Sequence, residues 1–231
     1  MIGSSRKYRN FWLVSILLLT SVFIIFNTFI IDYFLSKSSD CIVKEEKIIY
    51  PNVVFLGDSI TEVYDLDEFY DEDEIVVINS GYSGNTSADI LKNLKKRVLQ
   101  YKPSKIFLLI GTNDIGFGKD IDMTIENIKK IILEIEEKLP KAELYVESIY
   151  PINSTLDGNK VGRRTNEAIR RVNREIEDFC LQNETKYLDV YSVLADDGDN
   201  LKIEYTIDGL HLSHEGYEVV SEVLKMYVLK V

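Results

Sequence analysis

Short apolar runs alternate along this chain with stretches of helical periodicity, and that alternation limits the fold more than any other feature. The runs are Val53–Leu56 (VVFL), Ile75–Ile78 (IVVI), Ile106–Ile110 (IFLLI) and Leu144–Ile149 (LYVESI). Strands this apolar are buried on both faces, as in a parallel sheet covered by helices. Between them, Ile90, Leu94 and Val98 mark a helix over Ser87–Tyr101, closed by Pro103. Ile125, Ile128, Ile132, Ile135 and Leu139 mark a longer one stopped at Pro140. Ile169, Val172, Ile176 and Phe179 give a third helix, followed by a short fifth strand at Tyr187–Val190. Ser213 is a suitable N-cap for a last helix running through Val219, Val220, Val223 and Tyr227. No repeat and no second globular domain is visible, so residues 51–231 are expected to form one α/β domain.

The first 50 residues follow a different rule. Residues 11–35 (FWLVSILLLTSVFIIFNTFIIDYFL) form a 25-residue apolar run preceded by Arg6, Lys7 and Arg9. As a helix this run would be roughly 37 Å long, enough to span a hydrocarbon core of about 30 Å. The basic flank predicts a cytoplasmic segment at 1–10 and an uncleaved transmembrane anchor at 11–35. A polar stalk at 36–50 then leads to a domain outside the cytoplasm. A cleaved signal peptide would need a shorter apolar region and a small-residue cleavage site, and neither is present.

Charge narrows the class of partner. The formal net charge is −11; Arg6, Lys7 and Arg9 against Asp32 give the first 35 residues +2, which leaves −13 on the remainder. An ectodomain this acidic is not expected to bind nucleic acid or to adhere electrostatically to anionic lipid or polymer. Seven of the ten residues from Asp65 to Glu74 are acidic, which reads as a solvated loop or helix face, since no ligand-spaced cation loop is present. Cys41 and Cys180 make no disulfide framework, and no Cys/His cluster suits zinc.

In a parallel α/β sheet the loops after the strands share one edge, where ligands bind. Three of them here are unusually polar: Gly57-Asp58-Ser59, Asn79-Ser80-Gly81 and Gly111-Thr112-Asn113-Asp114. A fourth segment, Asp208-Gly209-Leu210-His211, precedes the last helix. Alone, Gly57-Asp58-Ser59 reads equally as a nucleophile or as a capped turn. The chain has two histidines, His211 and His214, so a serine needing an imidazole base has few choices. His214 reads as a solvated helix-start residue, because no partner acid stands at matching spacing beside it.

Taken together and in order, these segments resemble the sequence blocks of the SGNH hydrolase superfamily, the GDSL-type esterases and lipases. G-D-S-I-T matches the first block, N-S-G-Y-S-G-N-T the second, G-T-N-D the third and D-G-L-H-L-S the last. Departures are peripheral: Glu62 where a small residue is common, and Ser213 where asparagine is common. The resemblance implies a flavodoxin-like three-layer α/β/α sandwich with a five-stranded parallel sheet of order 2-1-3-4-5. It implies Ser59 as nucleophile, His211 as base and Asp208 as the carboxylate orienting it. The oxyanion donors would be the backbone N–H groups of Ser59 and Gly81 and the side-chain amide of Asn113. No metal and no organic cofactor is implied. The expected substrate is a small acyl ester, such as an acetyl group on cell-wall or exported polysaccharide. Lysophospholipase-like action, transfer of the acyl group to a sugar, and a catalytically dead carbohydrate-binding relic are the alternatives. The oligomeric state is not legible.

Overall fold

A computed structural model of the protein describes residues 20, 21, 23–33, 52–71 and 75–229. The chain divides between Ile49 and Tyr50, and the two parts are taken separately. In the first, residues 20, 21 and 23–33 are helical, and Phe23, Ile24, Ile25, Phe26 and Phe29 are exposed. Its polar side chains turn back on the helix: Asn27 Nδ2 donates to Phe23 O and Thr28 Oγ1 to Ile25 O, each at 2.8 Å. Among the described residues no helix is long and apolar enough to cross a membrane. The transmembrane helix expected over 11–35 is therefore not found in the structure, although much of that run lies outside the described residues. The expected segments 1–10 and 36–50, and Cys41, lie outside them entirely.

The second part is a five-stranded parallel sheet of order β2-β1-β3-β4-β5. Its strands are β1 (Asn52–Gly57), β2 (Val76–Gly81), β3 (Lys105–Leu109), β4 (Glu143–Glu147) and β5 (Lys186–Leu188). Alternate residues of the central strands face opposite layers, as a period of two requires. Val54, Leu56, Ile106, Leu108, Leu144 and Val146 pack under one set of helices. That layer is formed by α3 (Ser87–Arg97), α5 (Ile121–Lys138) and α7 (Asn166–Gln182), with Ile90, Leu94, Ile128, Ile132, Ile169 and Val172 buried. Buried Cys180 belongs to it, and burial pushes its thiol up to about 12.

Val53, Phe55, Phe107, Leu109 and Tyr145 face the other way. They meet α1 (Ser59–Glu62), α2 (Leu66–Tyr70) and the last helix, α9 (His214–Val228). Phe55, Phe107 and Tyr145 are register partners on three adjacent strands and stack 4.7 and 4.8 Å apart, nearly parallel. Such pairs add about 0.5–1.5 kcal/mol each beyond their burial. The acidic run resolves in part as α2: Asp65 caps it, Leu66 and Tyr70 point inward, and the remaining side chains are more exposed.

Five differences from the sequence expectation follow. β2 does not stop at Ile78; it continues through Asn79, Ser80 and Gly81, which pair with Phe55, Leu56 and Gly57. A one-turn helix, α1, follows Gly57 directly. Another, α4 (Thr112–Gly116), follows β3, and α6 (Gly158–Val161) lies in the long connection after β4. A further short helix, α8 (Tyr191–Leu194), follows β5.

At the end of β4, Glu147 is buried and accepts a 2.6 Å hydrogen bond from Tyr150. Burial pushes its carboxyl up from 4.5 to about 7, with the Tyr150 bond pulling the other way. Between those values the folded chain holds a proton that the unfolded chain has lost. The stabilising contribution is thus complete below about pH 4.5 and is lost as pH rises through about 7, a change of about 3 kcal/mol. Glu147→Gln should abolish that loss. Urea unfolding should find the variant and the parent similar at pH 4.5 and the variant more stable at pH 8; equal pH slopes would show that Glu147 is not the group responsible.

Candidate active site

Gly57 ends β1 where a side chain could not fit: a Cβ there would lie 2.1 Å from Thr61 Oγ1 and 2.7 Å from Leu109 O. The chain turns at Asp58, whose Oδ1 accepts the Ile60 N–H at 3.0 Å and so caps α1. Ser59 is the first residue of that helix. Tyr217 of α9 donates to Ile60 O at 2.6 Å, clamping α1 from within the same layer.

The histidine comes from a loop folded by one carboxylate. Asp208 Oδ1 accepts the backbone N–H groups of Leu210 and His211 at 2.9 and 2.7 Å, while Oδ2 lies 2.7 Å from His211 Nδ1. Thr206 Oγ1 donates to His211 O at 2.7 Å, and Gly209, at φ +86°, passes so close to Asn153 O that no Cβ would fit. Burial raises the Asp208 carboxyl, but the bonds from the His211 ring and the two backbone N–H groups outweigh it and hold it below its ordinary value. An ionised carboxylate at Nδ1 keeps the ring proton there. Nε2 is then an acceptor, and it stands 3.0 Å from Ser59 Oγ. Ser59, His211 and Asp208 thus form one hydrogen-bonded line.

Asn113 lies in the first turn of α4, at the end of β3. Its Oδ1 accepts from Arg164 at 2.7 Å, and its Nδ2 donates to Asn85 O at 3.0 Å. The next residue, Asp114, ties down the start of α3 through Ser87 Oγ and N, at 2.6 and 2.8 Å. Asn113, Ser59 and His211 line a cleft of about 440 Å³ whose wall also includes Gly84, Lys160 and Arg164.

Gly81 does not join them. Its N–H donates to Asn79 Oδ1 at 2.8 Å, and it is absent from the cleft wall. Its lack of a side chain serves packing instead: a Cβ there would lie 2.1 Å from Glu62 N, so β2 could not approach α1. The second glycine of the same block, Gly84, reaches the cleft, with φ +76° and, among the described residues, no hydrogen-bond partner for its N–H. Extension of β2 through Gly81 is the reason, because it moves the loop three residues on. Glu62, a departure from the family pattern, anchors that loop by accepting from Ser83 N and Ser83 Oγ.

His214 is exposed, 3.7 Å from Glu68 and 3.6 Å from Glu218. A carboxylate does stand one turn away, contrary to expectation, yet His214, Glu68 and Glu218 are all absent from the cleft wall. Asp58 is the buried oddity: its Oδ2 has no hydrogen-bond partner among the described residues, and burial pushes its carboxyl up to about 6 despite the Ile60 N–H and the charges of Arg164 and His211. Among the described residues no group of His, Cys, Asp and Glu is arranged to hold a metal ion. A wider groove of about 900 Å³, lined by Leu99, Pro103, Leu139 and several lysines, lies at the opposite edge of the sheet, and its wall includes no serine, threonine or cysteine among the described residues.

A parallel α/β sheet with serine, histidine and aspartate in line at the carboxyl ends of its strands defines a serine hydrolase. Comparison with known proteins supplies the rest: the chain belongs to the GDSL-like Lipase/Acylhydrolase family, whose sequence model matches residues 55–219. Among solved structures it is similar to a Streptococcus pneumonia protein provisionally described as a platelet activating factor. That protein is 34% identical with a TM-score of 0.73, over 80% of this chain and 86% of the other. It is 26% identical over 196 residues to the N-acylneuraminate cytidylyltransferase of Streptococcus agalactiae serotype V, covering 80% of this chain but only 43% of that protein. The platelet-activating factor acetylhydrolase IB subunit alpha1 of Bos taurus is 24% identical, over 81% of this chain and 79% of its own length.

Proposed function

We propose that the protein is a serine esterase that hydrolyses small acyl esters, acetyl esters foremost. The observation carrying this is the Ser59–His211–Asp208 line opening on a cleft shared with Asn113. Ser59 Oγ attacks the ester carbonyl as His211 Nε2 takes its proton, and the same imidazolium then protonates the leaving alcohol. Asp208 stabilises that imidazolium. The oxyanion meets the N–H of Ser59, which as the first residue of a helix has no partner within it, together with the Gly84 N–H and Asn113 Nδ2. A water activated by His211 releases the acid.

The acyl group is small because the cleft is small, and the alcohol is a glycan. Lys160 and Arg164 are the charged residues of the cleft wall, and no carboxylate lines it, although the chain as a whole is strongly acidic. That suits an ester on an acidic sugar. The catalytic domain is held outside the cytoplasm by the apolar run at 11–35, a reading supported by its basic flank and by the exposed apolar side chains of its described helix.

The test is product analysis of the full chain in detergent, against aryl acetates and O-acetylated neutral and acidic glycans, with oligosaccharide present or absent. Free acetate formed at a rate independent of added sugar is the expected result. Acetylated sugar formed in its place, with faster alcohol release, would make the protein an acyltransferase. For topology, protease added to intact cells should digest a carboxy-terminal tag; a tag protected alongside a cytoplasmic control would refute the placement.

A further inference from the structure

Arg164 is only 8% exposed, yet it pairs directly with no carboxylate among the described residues. Burial lowers its pKa, the more distant charges of Asp58 and Asp208 oppose that, and a guanidinium stays protonated regardless. Four of its five N–H groups are spent on the site's own scaffold. Nε donates to Thr112 Oγ1 at 2.9 Å, Nη1 to Val161 O at 2.9 Å and Lys160 O at 3.2 Å, and Nη2 to Asn113 Oδ1 at 2.7 Å. The fold makes room for it: a Cβ on Gly116 would lie 2.4 Å from the Arg164 Cζ.

A guanidinium has donors only. Facing Asn113, it accepts just one orientation of that amide, the one with Oδ1 inward, since the flipped amide would set N–H against N–H. Nδ2 is thereby turned toward Asn85 O and the cleft, with one N–H left over. A charge-assisted bond to the amide oxygen also polarises the amide and strengthens its N–H as a donor. We infer that Arg164 is a positioning residue for ester hydrolysis: it sets the Asn113 amide so that Nδ2 meets the oxyanion, and acts through Asn113 without contacting substrate. This rests on the serine-esterase reading above.

The experiment is a double-mutant cycle in the full chain with an uncharged aryl acetate. Arg164→Met alone should lower kcat about 10–100-fold with KM nearly unchanged. In an Asn113→Ala background the same change should cost less than about threefold, because the group it orients is gone. Gly116→Ala, whose methyl displaces the guanidinium without deleting the buried charge, carries the same test if Arg164→Met does not fold. Arg164→Lys, which keeps a charge and one donor, should recover part of the loss. Equal losses in the two backgrounds, or a rise in KM with kcat intact, would overturn the inference while leaving the esterase reading standing. Absence of any Ser59-dependent hydrolysis by the parent would overturn both.

Discussion

Ser59→Ala should bring ester hydrolysis down about 10⁶-fold, to the level set by binding and the oxyanion donors alone. The size follows from the chemistry. Without Oγ there is no acyl-enzyme, and a water in the methyl-lined gap has neither the aim nor the nucleophilicity of an alkoxide forming 3.0 Å from Nε2. The fold should be unaffected, because the hydroxyl's hydrogen bond is to His211 and the capping of α1 belongs to Asp58. A fluorophosphonate should label the parent at Ser59 Oγ and leave the variant unlabelled, with identical melting curves. Retained turnover at more than a few per cent would remove Ser59 from the mechanism and with it the esterase reading.

Asp208→Asn tests a finer point, with an expected fall of about 10⁴-fold in kcat. The carboxylate has two tasks, one per oxygen. Asparagine keeps the first, since Oδ1 can still accept from Leu210 N and His211 N. It then presents its NH₂ to His211 Nδ1, 2.7 Å away, where Oδ2 had been. The ring must accept there, so its proton moves to Nε2, and Nε2 can no longer take the proton of Ser59. The loop should therefore stay folded while the base is in the wrong tautomer. Asp208→Ala should lose both tasks. If Asp208→Asn loses activity only in proportion to a loss of stability, the carboxylate is a loop staple and not part of the chemistry.

Much of this was legible in the sequence for reasons that are local. A parallel strand buried on both faces must be apolar throughout, so β1 and β3 announce themselves, and helices between them must show a 3.6-residue stripe. Ser59, Asp208 and His211 were singled out by the resemblance of four ordered loop segments to the GDSL-type blocks, and with two histidines in the chain the choice of base was narrow. Gly81 was misplaced because β2 ends in three residues, Asn79, Ser80 and Gly81, that carry no strand signal and are held by register with β1. Polar groups there are affordable only because tertiary partners satisfy them: Asn79 Nδ2 reaches Thr61 O and Tyr64 O, and Ser80 Oγ reaches Arg97 O. Arg164 was invisible for a related reason. It stands 51 residues from Asn113 in the pair Arg163-Arg164, and which of the two turns toward Asn113 is decided by the space left at Gly116. The one-turn helices α1 and α4 are too short for any periodicity to reveal.

The clamp of α9 on α1 has a consequence in time. The nucleophile is encoded at position 59, its base at 211, and the tyrosine that pins the nucleophile's helix at 217. Tyr64 of the neighbouring segment is likewise held by Ser221, and stacks on Tyr217. A chain made from its amino terminus therefore carries Ser59 long before anything holds that serine in place or can take its proton. A nascent chain that has not yet made α9 should be silent toward esters, with activity appearing only after the last helix docks. Acyl esters that meet the chain before that docking should therefore be spared.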